Sequence, residues 1–140
     1  MFVKQLSVFM ENREGRLEKA AEILKEQNIN ILALSMADTT EYGMLRMVVS
    51  NPEEAKTALK ENGFSAMLTD VLAVRLEDQV GELHSLTLVL CAKGLNIEYM
   101  YSLVSGERKA IIVKTSDAEK AAAAIRESGL RLYTDEELYG

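Results

Sequence analysis

The segment with the most capacity for chemistry is Glu11-Asn12-Arg13-Glu14-Gly15-Arg16-Leu17. It stands where strand-like alternation gives way to helical spacing, so its backbone amides are left unpaired at a helix N-terminus, where the helix dipole favours an anion such as a carboxylate. Asn12 offers a donor and an acceptor together, as a zwitterion requires, and Gly15 permits a ligand or a neighbouring backbone to come close. Spacing alone leaves open a second account of Gly15, in which it only eases a tight strand-to-helix turn. Two asparagines raise a similar question. Asn30, in Asn28-Ile29-Asn30-Ile31, and Asn96, in Gly94-Leu95-Asn96-Ile97, each fall at a strand entrance, although asparagine is a poor strand former. One account has each asparagine cap the strand entrance through its own backbone; the other has it present a polar group to a ligand.

Elsewhere the sequence offers no catalytic constellation: no glycine-rich phosphate loop, no paired Ser-His-Asp set and no HExxH run. Cys91 is the only cysteine, which excludes an intramolecular disulfide and a thiolate zinc cluster, and its expected role is helix packing. His84, the only histidine, reads as a solvated helix residue, Tyr99 and Tyr101 as sheet-packing residues, and the seven methionines as core filler. No catalytic residue, metal site or cofactor is expected.

The elements that must position these residues come in a duplicated order. A shift of 66 positions superposes the two halves without a gap, placing Leu6 on Leu72, Val8 on Val74, Glu11 on Glu77, Gly15 on Gly81, Asn30 on Asn96 and Gly63 on Gly129. In the first half the periodicities predict a strand over 2–10, a helix from Leu17 to about Asn28 and strands over 29–36 and 42–49. A second helix follows, with Asn51 as N-cap, Pro52 in its first turn and Gly63 closing it, and then a strand over 64–68. The second half repeats the order with strand 71–76, helix 81–93, strands 95–104 and 109–114, helix 117–128 and strand 130–133.

The order βαββαβ, with strands apolar mainly on one side, predicts an α+β fold of two ferredoxin-like units. Each is an antiparallel four-stranded sheet with both helices on one face. The expected domains are residues 1–69 and 70–134, followed by a tail, 135–140, without regular pattern. No Pro/Gly/Ser-rich linker separates them, and each small unit leaves edges and apolar flanks to cover, so a side-by-side pairing of the two sheets is expected.

With 48 % hydrophobic and 27 % charged residues among 140, the chain is composed like an ordinary globule. A net charge of −6, with sixteen basic residues scattered among twenty-two acids, offers no basic stripe to phosphates, so nucleic acid is excluded as an expected partner. No window approaches the roughly 18 consecutive apolar residues of a membrane helix and no leader pattern opens the chain, so no membrane association and a cytoplasmic location are expected.

The run Glu11 to Leu17, followed by Ala21, Leu24, Glu26-Gln27 and Ile29-Asn30-Ile31, resembles the ACT domain, and closely the serine-sensing regulatory domain of D-3-phosphoglycerate dehydrogenases. The likeness covers nearly the whole chain, once per repeat, and is strongest over residues 4–50. It implies that paired domains set their second strands side by side and bind an amino acid at the shared edge, between the loop asparagine of one domain and the strand asparagine of its neighbour. Carried over by position, Asn12 with Arg13, Glu14, Gly15, Arg16 and Leu17 would face Asn96, and the loop from Asp78 through Gly81, Glu82 and Leu83 would face Asn30. The two sites are not expected to be equal. The family's proline before the glycine is Glu14 in one copy and Val80 in the other, and Asp78 replaces the loop asparagine. A carboxylate there repels a ligand carboxylate unless it meets the ammonium. The Asn12 and Asn96 site is therefore expected to be the better one. A histidine near the ligand in some relatives is Met10 here, which implies a different or more apolar ligand.

The expected function is that of a non-enzymatic regulatory protein that binds a free amino acid at the interface of two ACT-like repeats. It would shift a conformational population and act on an enzyme partner in trans or through its own homodimer. Two alternatives stand beside it. One is a dimerisation module that has lost its ligand, for which Asp78 is the sign. The other, which fits less well, is a small acylphosphatase-like enzyme built on Arg13 and Asn12.

Overall fold

The computed structural model describes residues 2–11, 13–38, 42–77 and 79–139. Along the chain run β1 (Val3–Glu11), α1 (Arg16–Glu26), β2 (Ile31–Asp38), β3 (Tyr42–Val49), α2 (Pro52–Glu61), β4 (Ser65–Arg75), α3 (Glu82–Ala92), β5 (Ile97–Ser105), β6 (Arg108–Thr115), α4 (Ala118–Glu127), β7 (Leu132–Tyr133) and α5 (Asp135–Tyr139). The fold is α+β, with antiparallel strands and the βαββαβ order twice over. Two compact units divide the chain: Lys4–Thr69 with Tyr139–Gly140, and Asp70–Leu138 with Met1–Val3.

In the N-terminal unit the strand order is β2-β3-β1-β4, and in the C-terminal unit it is β5-β6-β4-β7. These are the same order under the 66-residue shift. The sequence predicts separate strands at 64–68 and 71–76, whereas the structure has one strand, β4, whose residues 65–69 belong to the first unit and 70–75 to the second. Nothing in Leu68-Thr69-Asp70-Val71 breaks extended backbone, so the chain passes from one repeat to the next without a turn.

Each unit packs both helices on one sheet face. In the first, Leu6, Val8 and Met10 of β1 and Leu45, Met47 and Val49 of β3 meet Ala20, Ile23 and Leu24 of α1 and Ala55, Ala58 and Leu59 of α2. In the second, Leu72, Val74 and Val113 meet Leu86 and Leu90 of α3 and Ala121, Ala122 and Ile125 of α4. The expectation of one-sided strands needs correction, because the opposite sheet faces are buried as well. Val3, Gln5, Ser7 and Val48 are buried in the first repeat, and Val71, Ala73, Leu103, Ala110 and Ile112 in the second. Gln5 and Ser7 disguise this in the sequence. They are polar, yet Gln5 Nε2 donates to Ser7 Oγ at 3.0 Å, and a hydrogen-bonded polar pair can be buried at little cost.

Two smaller expectations also change, and a third, Asn51 as N-cap, holds. Cys91 does not pack in the core but lies exposed on α3. Asn51 occupies the N-cap of α2 without a side-chain bond to the helix, whereas Asp117 caps α4 by accepting from the Lys120 N–H at 3.1 Å. The tail forms α5, which buries Leu138. Among the described residues, no helix is long and apolar enough to cross a membrane.

Candidate functional site

The turn from β1 into α1 is built around Gly15, the N-cap residue, at φ 84°. A Cβ there would meet nothing within 4 Å, so glycine is needed for the left-handed backbone rather than for space within this chain. This settles the conformational question left open by the spacing: the turn requires Gly15. The Lys19 N–H already bonds the Gly15 carbonyl at 2.9 Å, while the side chains that follow Gly15 turn toward a small cavity.

That cavity, of about 160 Å³, is lined by Met10, Glu11, Arg13, Arg16, Leu17, Met36 and Gly43. Its volume lies below the roughly 300–1,000 Å³ of pockets that hold drug-sized ligands, and suits a small molecule. Met10, Leu17 and Met36 make its apolar wall. Arg13 Nε lies 3.4 Å from Glu11 Oε2, with both side chains exposed. Arg16 is placed differently: its guanidinium stacks over the Phe64 ring, 4.2 Å from the centroid, and its Nε is buried without a hydrogen-bond partner among the described residues. A buried donor on a cation, left unmatched, favours an incoming anion, and a carboxylate is the partner whose geometry fits a guanidinium edge.

The C-terminal unit repeats the backbone but reverses the charge. Gly81 caps α3 at φ 89°, again with nothing within 4 Å of a Cβ. At the position equivalent to Arg16 stands Glu82, whose Oε1 accepts from the Glu77 N–H at 2.6 Å and from the Gln79 N–H at 3.2 Å. The Glu77 and Gln79 amides are thus occupied by one of the protein's own carboxylates. The cavity here is only about 80 Å³, lined by Arg75, Glu77, Glu82, Leu86 and Arg131 among others.

The family model that matches the chain is the ACT domain pair, over residues 1–140. The chain belongs to the ACT domain pair family. Among solved structures, this ACT pair is similar to a protein of Bacteroides thetaiotaomicron, with 37% identity, 99% of this chain and 96% of that one covered, and a TM-score of 0.92. It shares its fold with the regulatory subunit of aspartate kinase from Thermus thermophilus, in ligand-free form, at 21% identity and TM-score 0.61, covering 89% and 91%. The corresponding subunit from Thermus flavus gives 21% identity and TM-score 0.58, covering 90% and 92%. No curated protein sequence matches. ACT domains are regulatory, typically ligand-binding and generally non-catalytic.

The remaining residues that the sequence places at a site fall as follows. Asn12 and Asp78 lie outside the described residues. Glu14 is exposed, and Leu17 and Leu83 are about half exposed. Asn30 is exposed just ahead of β2, its N–H donating to Ser50 Oγ at 3.0 Å and its carbonyl accepting from the Ser50 N–H at 2.9 Å. It borders a shallow cavity with Leu24, Asn28 and Ile31, at the C-terminal end of α1, away from the loop of its own unit. Asn96 is exposed at the equivalent place before β5. Sequence reasoning missed Met36, Gly43 and Phe64. Gly43 and Met36 reach the loop because β3 pairs with both β1 and β2, setting Gly43 beside Met10 and beside Asp38. Phe64 immediately precedes β4, and the βαββαβ order places that strand next to β1.

Proposed function

We propose that this ACT pair binds one free amino acid at the loop following β1 and regulates a partner through the conformational state that the ligand stabilises. Arg16 receives the α-carboxylate. Glu11 meets the ammonium, and Met10, Leu17 and Met36 contact the side chain. The neighbouring repeat's Asn96 completes the site, as the family resemblance implies, and Asn12 acts from the loop. The observation that carries this reading is the contrast at one repeat position: Arg16 with a buried unmatched Nε, Glu82 with its carboxylate already bonded to two amides. The second loop, from Asp78 through Leu83, with Asn30 opposite, is therefore the weaker site.

A screen of the purified chain against the twenty amino acids by thermal shift tests it. A ligand at 100 times its dissociation constant stabilises by about 2.7 kcal/mol. The expected result is a raised midpoint with one chemical class, of small or apolar side chain, and a rise at most about half as large in Arg16→Met. If every amino acid leaves the midpoint unchanged, or if Arg16→Met responds like the unsubstituted chain, the reading fails.

A further inference from the structure

The two repeats end differently. In the first unit the closing strand is residues 65–69 of β4, which run straight on into the next repeat. In the second it is β7, only two residues long, after which the chain turns off into α5 at Asp135. Beside this shortened strand lies a cavity of about 390 Å³, inside the ligand-pocket range of roughly 300–1,000 Å³. Its back wall is Val71, Leu72 and Ala73 of β4, all buried, and Phe2, Leu130 and Leu132 add apolar surface. Every residue that lines it belongs to the C-terminal unit.

The only charged side chains in the lining are Arg126, in the last turn of α4, and Arg131, just before β7. In a chain with twenty-two acids and sixteen bases, a lining with two arginines and no acid runs against the composition. Neither guanidinium has an ion pair or a side-chain hydrogen bond among the described residues. The carboxylates closest to them along the chain are engaged: Glu127 with Lys93 at 3.9 Å, Asp135 by the Glu136 N–H at 3.0 Å and Glu137 by the Thr134 N–H at 2.9 Å. The rim is held by the backbone. Gly129 leaves α4 at φ 89°, the Ser128 hydroxyl donates to the Ile125 carbonyl at 2.6 Å and accepts from the Leu130 N–H at 3.4 Å, and the Arg131 carbonyl accepts from the Arg75 N–H at 2.8 Å. The fold does not require an arginine at 131, since the first repeat has Ser65 there. We infer that this cavity binds a small organic anion with an apolar body, its charge met by Arg126 and Arg131 and its body lying against Phe2, Leu130 and Leu132. No residue of the Glu11–Leu17 loop lines it, so the site is additional to the one proposed there. It shares Arg131 with the small cavity at the second loop, where Glu77 pairs with Arg75 at 3.3 Å and Glu82 is bonded to backbone amides.

The test is a fluorescence titration of the full chain with anilinonaphthalene sulfonate, an anion on an aromatic body whose emission rises when its rings leave water. The expected result is saturable binding that Arg126→Gln combined with Arg131→Ser weakens by about 10-fold or more, the range of a lost charged hydrogen bond. Both side chains are exposed, so the melting midpoint should not move. Phenylnaphthylamine, the same rings without the sulfonate, should bind about 10-fold more weakly or worse and be indifferent to the two substitutions. Amide chemical shifts locate the probe: those of Phe2 and of residues 129–134 should move, and Arg16→Met, in the loop after β1, should leave those shifts as they are. Absence of saturable binding, an affinity that the paired substitution leaves intact, equal affinity for the neutral probe, or shifts confined to other residues would each overturn the inference.

Discussion

Arg16 and Glu82 occupy one position of a repeated backbone and do opposite things with it. Stacking on Phe64 fixes the Arg16 guanidinium, and such a contact contributes about 0.5–1 kcal/mol at a partly exposed site. Its unmatched Nε works against stability, so Arg16→Met should leave the urea midpoint nearly unchanged while lowering ligand affinity by about 10- to 100-fold, the range expected for a charged hydrogen bond. Isothermal titration beside urea unfolding separates the two effects. Glu82 shows the reverse balance. It serves its loop as a capping group, accepting from two amides, and Glu82→Ala should cost about 1 kcal/mol in urea unfolding, in the range of a lost N-cap. Gly15→Ala and Gly81→Ala should each cost about 1–2 kcal/mol, since nothing crowds a Cβ at either place and only the left-handed backbone opposes it.

At the scale of elements, nearly every strand and helix is legible in the sequence, because period-two and period-3.6 apolar patterns follow directly from burial on one face. Tyr42–Val49 has the same bounds in the sequence as in the structure, with Asn51-Pro52 after it. What escapes is where burial is not apolar or not periodic. Gln5 and Ser7 hide the second buried face of β1. The tail escapes for another reason: α5 is too short for periodicity to show, and it is held by its cap. The Thr134 N–H donates to Glu137 Oε1 at 2.9 Å, and the Glu137 N–H donates back to Thr134 Oγ1 at 3.2 Å, a reciprocal capping box. Arg108 Nη1 donates to the Leu138 carbonyl at 3.0 Å at the other end. The Thr134 backbone N–H, then its hydroxyl, then the Arg75 charge hold the Glu137 carboxyl below its usual pKa. A carboxyl lowered on folding contributes stability above its unfolded pKa and loses it as pH falls through the depressed value. Protection of the Leu138 and Tyr139 amides from hydrogen exchange should therefore persist through mildly acidic pH and fall off below it. Glu137→Gln should flatten that dependence.

At the scale of the whole molecule, duplication gives two loops of one backbone form, and an unmodified duplicate would bind two ligands of one kind. The sequence already signals inequality at Asp78, but the decisive side chain is Glu82, whose role depends on a rotamer that folds it back onto the Glu77 and Gln79 amides. No spacing rule distinguishes that from a glutamate pointing into solvent. A ligand carboxylate at the second loop would have to displace a carboxylate that the chain holds at high effective concentration, and would find no cation at the Arg16 position to compensate. Titration calorimetry with the amino acid that raises the melting midpoint should accordingly give one site per chain, and Arg16→Met should weaken it by about 10- to 100-fold. Two equal sites per chain would mean that Glu82 yields its amides readily, and the asymmetry of charge would then have no bearing on binding. One site whose affinity Arg16→Met leaves unchanged but that disappears on substitution of Glu82 would move the ligand to the second loop, where it could bind only by offering its ammonium to the acidic turn.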